Sequence, residues 1–395
     1  MMFLLTACVQ GKPSKDTLAP VPEDSGTWLR TGAECMERYL PFLEGKRVAV
    51  CGNQTSVVGK THLVDTLLSR NVNIVKLFCP EHGFRGQAEA GATIASGKDP
   101  LTGLPVVSLY GKNKKPTAEQ LQNVDIVLFD LQDVGCRFYT YISTLHYVME
   151  AAAENGVKVI VLDRPNPNGF YIDGPVLEPQ YTSFVGMHPV PVVYGMTIGE
   201  YARMINGEKW LANGVQCDLT VILMEGYTHE TRYVLPVAPS PNLQTVEAVY
   251  LYPSLCFFEG TNVSVGRGTD RPFEMYGAPG MQVGDYQFTP RAIPGVSENP
   301  PFKGQVCRGY LLHDKAVESL NKPGFLNLSY LLIAYQNFPD KANFFLKNNF
   351  FDKLAGTGQL RKQLVAGVSE EEIRASWEPG LKAFREMRER YLLYP

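Results

Sequence analysis

Val72-Asn73-Ile74-Val75-Lys76-Leu77-Phe78-Cys79-Pro80-Glu81-His82-Gly83-Phe84-Arg85-Gly86 reads as a buried strand running into a charged loop. The first half is rich in β-branched and apolar residues, with a polar one at intervals. Pro80 has no N–H to give a ladder, so the strand stops there, and Gly83 and Gly86 permit the turns that follow. A carboxylate, an imidazole and a guanidinium (Glu81, His82 and Arg85) thus fall within five residues at the carboxyl end of a strand. In open α/β sheets that edge is where ligands bind.

Similar strand texture recurs at Arg47–Cys51, Pro105–Tyr110, Asp125–Asp130, Lys158–Leu162 and Leu219–Met224. Helical spacing fills the intervals, over Thr61–Arg70, Pro116–Val124, Tyr139–Glu154 and Met196–Asn206. The alternation predicts an α/β fold, a Rossmann-like, mostly parallel, doubly wound sheet. Dinucleotide binding is not expected of it: Gly52-Asn53-Gln54-Thr55-Ser56 has one glycine where the fingerprint needs three. A nucleotide-dependent enzyme is therefore the weakest functional reading.

At 395 residues the chain exceeds the roughly 250–300 residues at which single cores stop growing, so two domains are expected. The texture changes near Gln244, which divides a catalytic domain, residues 27–245, from a smaller α+β domain, residues 246–395, that closes the cleft. Helical patterns at Asn327–Asn337 and Ser369–Leu392 belong to the second, and Pro379 is expected to kink or split the latter. A net charge of −3 argues against nucleic acid as a partner. Leu5-Thr6-Ala7-Cys8 resembles a bacterial lipobox, although the apolar run before it is short and lacks a basic start. Residues 1–8 are read as the remnant of a lipoprotein signal and residues 9–26 as a tether. The expected location is periplasmic or otherwise extracytoplasmic, with the membrane reached only through lipid on Cys8. Cysteines 35, 51, 79, 136, 217, 256 and 307 form no C-x-x-C pair and read as buried free thiols.

In a parallel sheet four charged or amide-rich loops share one edge: Asn53-Gln54-Thr55, Glu81–Arg85, Gln132–Arg137 and Asp163–Asn166. Taken singly, Asp163–Arg164 and Asp133–Arg137 are as readily turn caps or local ion pairs. Together they concentrate more Asp, Glu, Arg and Asn than purely structural loops usually carry. A G-x-S-x-G elbow is absent, since Asn262-Val263-Ser264-Val265-Gly266 lacks the first glycine. H-E-x-x-H is absent too and the six histidines are scattered, so no protein-made metal site is expected. What remains is carboxylate chemistry, with arginines for an anionic group.

At these residues the sequence resembles the exo-acting β-N-acetylmuramidases of the NamZ type. The matching stretches are Pro80–Gly86, Ser108–Gly111, Gln132–Tyr141, Leu162–Pro167, Pro239–Asn242 and Glu259–Thr269, in family order along nearly the whole chain. Gly280 departs from the pattern, standing where a bulkier residue is expected in many members. The resemblance implies a Rossmann-like domain, a smaller C-terminal domain and a cleft between them. It implies release of terminal N-acetylmuramic acid from the non-reducing end of peptidoglycan fragments, with no organic cofactor and with Glu81 as the principal catalytic residue.

Glycoside cleavage generally needs a second carboxyl. Asp133 is the first choice, followed by Asp163 and Glu259. The lactyl carboxylate of the sugar calls for a guanidinium, from Arg85, Arg137, Arg164 or Arg267. His82 is expected to orient Glu81 or to meet a sugar hydroxyl. Tyr139 and Tyr141 either line the floor or pack in the core, and Asn53, Asn166 and Asn262 complete the expected sugar contacts. To act as an acid Glu81 needs its pKa raised by about two units. Arg85 is therefore expected to point to substrate, or Glu81 to be base or nucleophile instead. A non-catalytic lipoprotein that binds peptidoglycan fragments is the rival reading.

Overall fold

The computed structural model describes residues 28–80, 83–85, 97–320 and 326–395. Helix α1 (Met36–Leu43) leads into β1 (Val48–Gly52), a short hairpin of β2 (Val57–Val58) and β3 (Thr61–His62), α2 (Leu63–Ser69) and β4 (Ile74–Cys79). There follow β5 (Gly97–Lys98), β6 (Pro105–Ser108), α3 (Ala118–Leu121), β7 (Ile126–Asp130), α4 (Tyr141–Glu154), β8 (Lys158–Leu162), α5 (Ile198–Gly207) and β9 (Leu219–Ile222). They build a seven-stranded sheet in the order β5-β6-β4-β1-β7-β8-β9, parallel except for β5.

Counted in chain order without β5, the strands run 3-2-1-4-5-6, the Rossmann arrangement, whose order reverses between β1 and β7. The register pairs Cys51 with Phe78, Gly52 with Asp130 and Phe129 with Val161. The carboxyl ends of β4, β1, β7 and β8 are therefore level, as the α/β reading expects. Val50, Leu128 and Ile160 face the α1–α2 layer, whereas Cys51, Phe129 and Val161 join the cluster containing Ile142 and Leu145 of α4. Burial on both faces accounts for the unbroken apolar runs.

The remaining chain adds α6 (Val246–Leu255) and an antiparallel sheet β10-β12-β11 of β10 (Met275–Ala278), β11 (Tyr286–Phe288) and β12 (Cys307–Leu311). Helices α7 (His313–Leu320), α8 (Ser329–Asn337), α9 (Phe350–Ala355), α10 (Gln359–Ala366) and α11 (Glu370–Arg388) complete it. Leu251, Phe257, Phe351 and Trp377 share one apolar cluster with Phe129 and Ile142, so the C-terminal residues extend the core on the α4 side.

Helix α11 opens with the Ser369–Glu372 capping box but does not split at Pro379. Ile373, Trp377, Leu381 and Phe384 bury one continuous face, so packing on both sides of the proline holds the helix together. Gly280 sits at φ +79° just past β10, a left-handed turn position that favours glycine over the expected bulkier residue. The seven described cysteines are buried and unpaired. No described helix is long and apolar enough to cross a membrane, and Cys8 lies outside the described residues.

Candidate active site

Where the strand order reverses, the crevice between β1 and β7 is filled by protein. Asn53 accepts at Oδ1 from the Thr55 N–H (2.9 Å) and hydroxyl (2.6 Å), and its Nδ2 donates to the Tyr141 hydroxyl at 2.7 Å. Thr55 Oγ1 accepts from the Gln132 N–H at 3.1 Å, and the Ser56 hydroxyl donates to the Asp130 carbonyl at 2.5 Å. A nucleotide-binding fold would open a helix N-terminus directly after β1. Here a loop and hairpin intervene before α2, so the pyrophosphate cradle is missing.

A second layer closes over these loops. The Pro239 carbonyl accepts from the hydroxyls of Tyr139 (2.8 Å) and Tyr141 (3.3 Å) and from Gln54 Nε2 (3.3 Å). The segment before α6 is thus docked on the strand ends. Tyr141, Tyr139, Tyr252 and Phe273 continue as an edge-to-face series with centroids 4.7, 5.9 and 5.0 Å apart. The Arg267 guanidinium ends it, 5.1 Å from the Phe273 ring centroid, with Nε donating to Glu259 at 2.6 Å. Both members of that pair keep solvent contact, at 20% and 24% side-chain exposure.

Asp133, on the loop after β7, is buried. Its Oδ2 accepts from the Gly135 N–H at 2.8 Å and from the Tyr194 hydroxyl, while Oδ1 has no hydrogen-bond partner. Gly135 is at φ +75°, and a Cβ there would lie 2.2 Å from the Asn166 amide oxygen, so this turn demands glycine. Burial pushes the Asp133 carboxyl up to about 6, against the Tyr194 hydroxyl and the backbone N–H groups of Gly135 and, last, Val134. A carboxyl with one vacant oxygen and a near-neutral pKa can hold or take a proton at working pH.

Asp163 is also buried, but both oxygens are engaged. Oδ1 accepts from the N–H groups of Arg164 (3.0 Å) and Gly199 (2.8 Å), and Oδ2 from the hydroxyls of Thr197 and Tyr394 (2.7 Å each). Burial, with the charge of Glu200, pushes it up to about 7. Its expected sugar-binding or catalytic part is corrected to a structural one, since no lone pair is left for a ligand.

The same reasoning corrects other expected contacts. The Arg85 guanidinium clamps Asp99 (3.0 and 2.9 Å) and reaches Asp65 at 3.3 Å, so it does not point to substrate. Arg137 is fully buried and donates to the carbonyls of Pro175, Val190 and Leu354 at 2.7–2.9 Å. Burial without a carboxylate lowers it to about 9, and it serves as an internal tie rod. Arg164 is spent on Asp130 (2.6 and 2.8 Å) in a buried ion pair. Asn166 holds the Met196 carbonyl and the Asn168 N–H, both at 2.8 Å, and Asn53 is enclosed as described. Tyr139 and Tyr141 are wall and core, the other of the two readings. Asn262, half-buried, gives its amide to the Asn343 carbonyl at 2.6 Å.

Glu81 and His82 lie outside the described residues, but their flanks are fixed. The Gly83 N–H donates to the Pro80 carbonyl at 3.3 Å, and Phe84 packs edge-on against the His62 ring at 4.8 Å. His62 Nδ1 accepts from the Val64 N–H and Nε2 donates to the Asn53 carbonyl at 2.9 Å, a neutral ring whose pKa burial lowers. The structure therefore unites three of the four strand-end loops and ties the flank of the fourth to them.

Tyr194 was not legible as a site element, and Pro239 only as part of the matching stretch Pro239–Asn242, with no part for its carbonyl. The one available signal was that a buried tyrosine hydroxyl must find a partner. Two described groups bring metal-capable atoms within 4.8 Å of one another, Cys35–Glu37–Glu225 and Glu247–Glu274–His313. Arginines already stand against both, Arg30 and Arg38 on Glu225 and Arg271 on Glu274.

Residues 48–247 match the family model for the N-terminal part of the exo-β-N-acetylmuramidase NamZ, and residues 250–394 that for its C-terminal part. The peptidoglycan β-N-acetylmuramidase NamZ of Bacillus subtilis is 42% identical over 100% of this chain and 97% of its own. Two crystal structures of DUF1343 family proteins from Bacteroides fragilis superpose along the chain. One is 47% identical with a TM-score of 0.85, the other 32% identical with 0.79, each covering 93% of this chain and 99% of its own.

Proposed function

The chain belongs to the NamZ family of exo-β-N-acetylmuramidases, and from that premise we propose how its residues cut the sugar. The protein is a glycoside hydrolase that releases N-acetylmuramic acid from peptidoglycan fragments. In our reading it works from the non-reducing end. Glu81 gives its proton to the glycosidic oxygen as the bond to the anomeric carbon breaks. Asp133, ionised above about pH 6, offers Oδ1 to the positive charge that develops on that carbon, and water completes the exchange.

The observation that carries the assignment is the unpartnered Oδ1 of Asp133, buried beside a carboxylate oxygen that is already saturated. Of the four arginines considered for the lactyl carboxylate, three are committed to protein partners. Arg267 gives only Nε to Glu259 and keeps solvent contact, so we assign the lactyl group to it. For His82 the two roles read from the sequence, orienting Glu81 or meeting a sugar hydroxyl, both stay open. The Arg85 charge is already balanced by the carboxylates of Asp65 and Asp99.

The test is Glu81→Gln assayed with a chromogenic muramic-acid glycoside. Loss of the acid should lower the rate by roughly 10²–10⁴. Activity within a few-fold of wild type removes Glu81 from the mechanism, and retention of the sugar without release by wild type favours the binding lipoprotein. We further propose an extracytoplasmic, lipid-anchored protein, supported by Leu5-Thr6-Ala7-Cys8. Labelling with a fatty-acid analogue in the native cell, lost on Cys8→Ser, checks it.

A further inference from the structure

A cavity of about 390 Å³ opens in the C-terminal part, between α8, α9, α10 and the chain preceding α9. Its size falls in the ~300–1,000 Å³ range of small-molecule sites. The rings of Tyr335, Phe345 and Phe351 line it, Tyr335 and Phe345 with centroids 5.8 Å apart and planes 32° from parallel. Tyr335 and Phe345 are partly exposed, which leaves aromatic surface for a ligand.

The charges around this floor do not cancel. Arg361 holds Asp352 through Nε and Nη2 at 2.9–3.1 Å, so that carboxylate is neutralised and nearly buried. Lys341, exposed, sits with its ammonium 5.7 Å from the Tyr335 centroid and forms no ion pair among the described residues. Among the residues that line the cavity one positive charge is thus left over beside an apolar aromatic surface, with Asp340, next in the chain to Lys341, turned to Asn343.

The cavity adjoins the chain that meets the strand-end loops but is lined by other residues. Phe351 and Asp352 line it, whereas the Leu354 carbonyl, further along α9, accepts Arg137 from the strand-end loop. None of the residues assigned to the reaction lines it.

We propose that this cavity binds a carboxylate-bearing sugar unit of the glycan chain, as a second site that holds polymeric substrate while its end is cut. The choice of ligand rests on the muramidase reading. An apolar sugar face lies on Tyr335, and the carboxylate meets Lys341 and the outer edge of Arg361.

The experiment is calorimetric titration of the full chain with two probes of equal length. One is peptide-free glycan strands that carry muramic acid, the other a chitin oligosaccharide, which has no carboxylate. Lys341→Glu should weaken strand binding about tenfold or more and raise KM on strands to match. Tyr335→Ala should act in the same direction. Turnover of the small chromogenic glycoside by Lys341→Glu should stay at the wild-type rate. Strand binding unchanged in both variants overturns the proposal, as does chitin binding as tightly as the muramic strands. If wild type fails on the small glycoside while Lys341→Glu still loses strand binding, the muramidase reading falls and the cavity site stands.

Discussion

Asp133 and Asp163 follow neighbouring strands, β7 and β8, at one edge of one sheet, and burial raises the pKa of both. They differ in the donors that meet them. Four converge on Asp163 and saturate both oxygens; two meet Asp133, both on one oxygen. Neither residue type, nor depth, nor acidity separates the carboxyl we propose to be catalytic from the one we read as structural. The count of vacant lone pairs does.

The sharpest way to break this contrast is Asp133→Asn, which keeps the shape and removes the charge. It should lower kcat/KM on the muramic-acid glycoside by roughly 10²–10⁴ while the circular dichroism stays native. If Asp163→Asn, equally folded, loses activity instead, the two assignments are exchanged. Next comes Asp163→Ala, which strands buried donors and should cost at least about 3 kcal/mol of stability. The check is a lower urea midpoint with unchanged slope, and a midpoint within error of wild type removes the structural role.

The smallest effect concerns pH. The Tyr194 hydroxyl favours the Asp133 carboxylate, so removing it raises a pKa already near 6 still further. A group needed in its ionised form gives a rate that climbs as pH rises through its pKa. The rising limb of kcat/KM should therefore reach half its height near pH 6 and move to higher pH in Tyr194→Phe, by up to about one unit. An unmoved limb takes Asp133 out of the base side of the reaction.

Much of the architecture was legible because the six parallel strands announce themselves by apolar runs, whereas β2, β3, β5 and the C-terminal strands do not, and the level strand ends follow from parallel pairing. The site was harder. A charged residue on a strand-end loop looks the same in sequence whether it awaits a ligand or a distant protein partner. Arg137 is answered by carbonyls 38, 53 and 217 residues away, and Arg164 by a carboxylate 34 residues earlier. No local pattern encodes those separations. Pro379 teaches the converse, since a strong local rule for breaking a helix gave way to the buried face that spans it. Asp133 was legible as a carboxylate on the right loop, but its vacant oxygen is a property of packing alone.

The Tyr394 hydroxyl that reaches Asp163 belongs to a residue made 231 positions later. At ~5–20 residues per second, the ribosome delivers it roughly 10–50 s after the acid it secures. A nascent chain halted short of that point presents the β8 terminus without its final fastener. Surveillance by chaperones, and damage from premature stops, should therefore converge on this seam between early and late polypeptide.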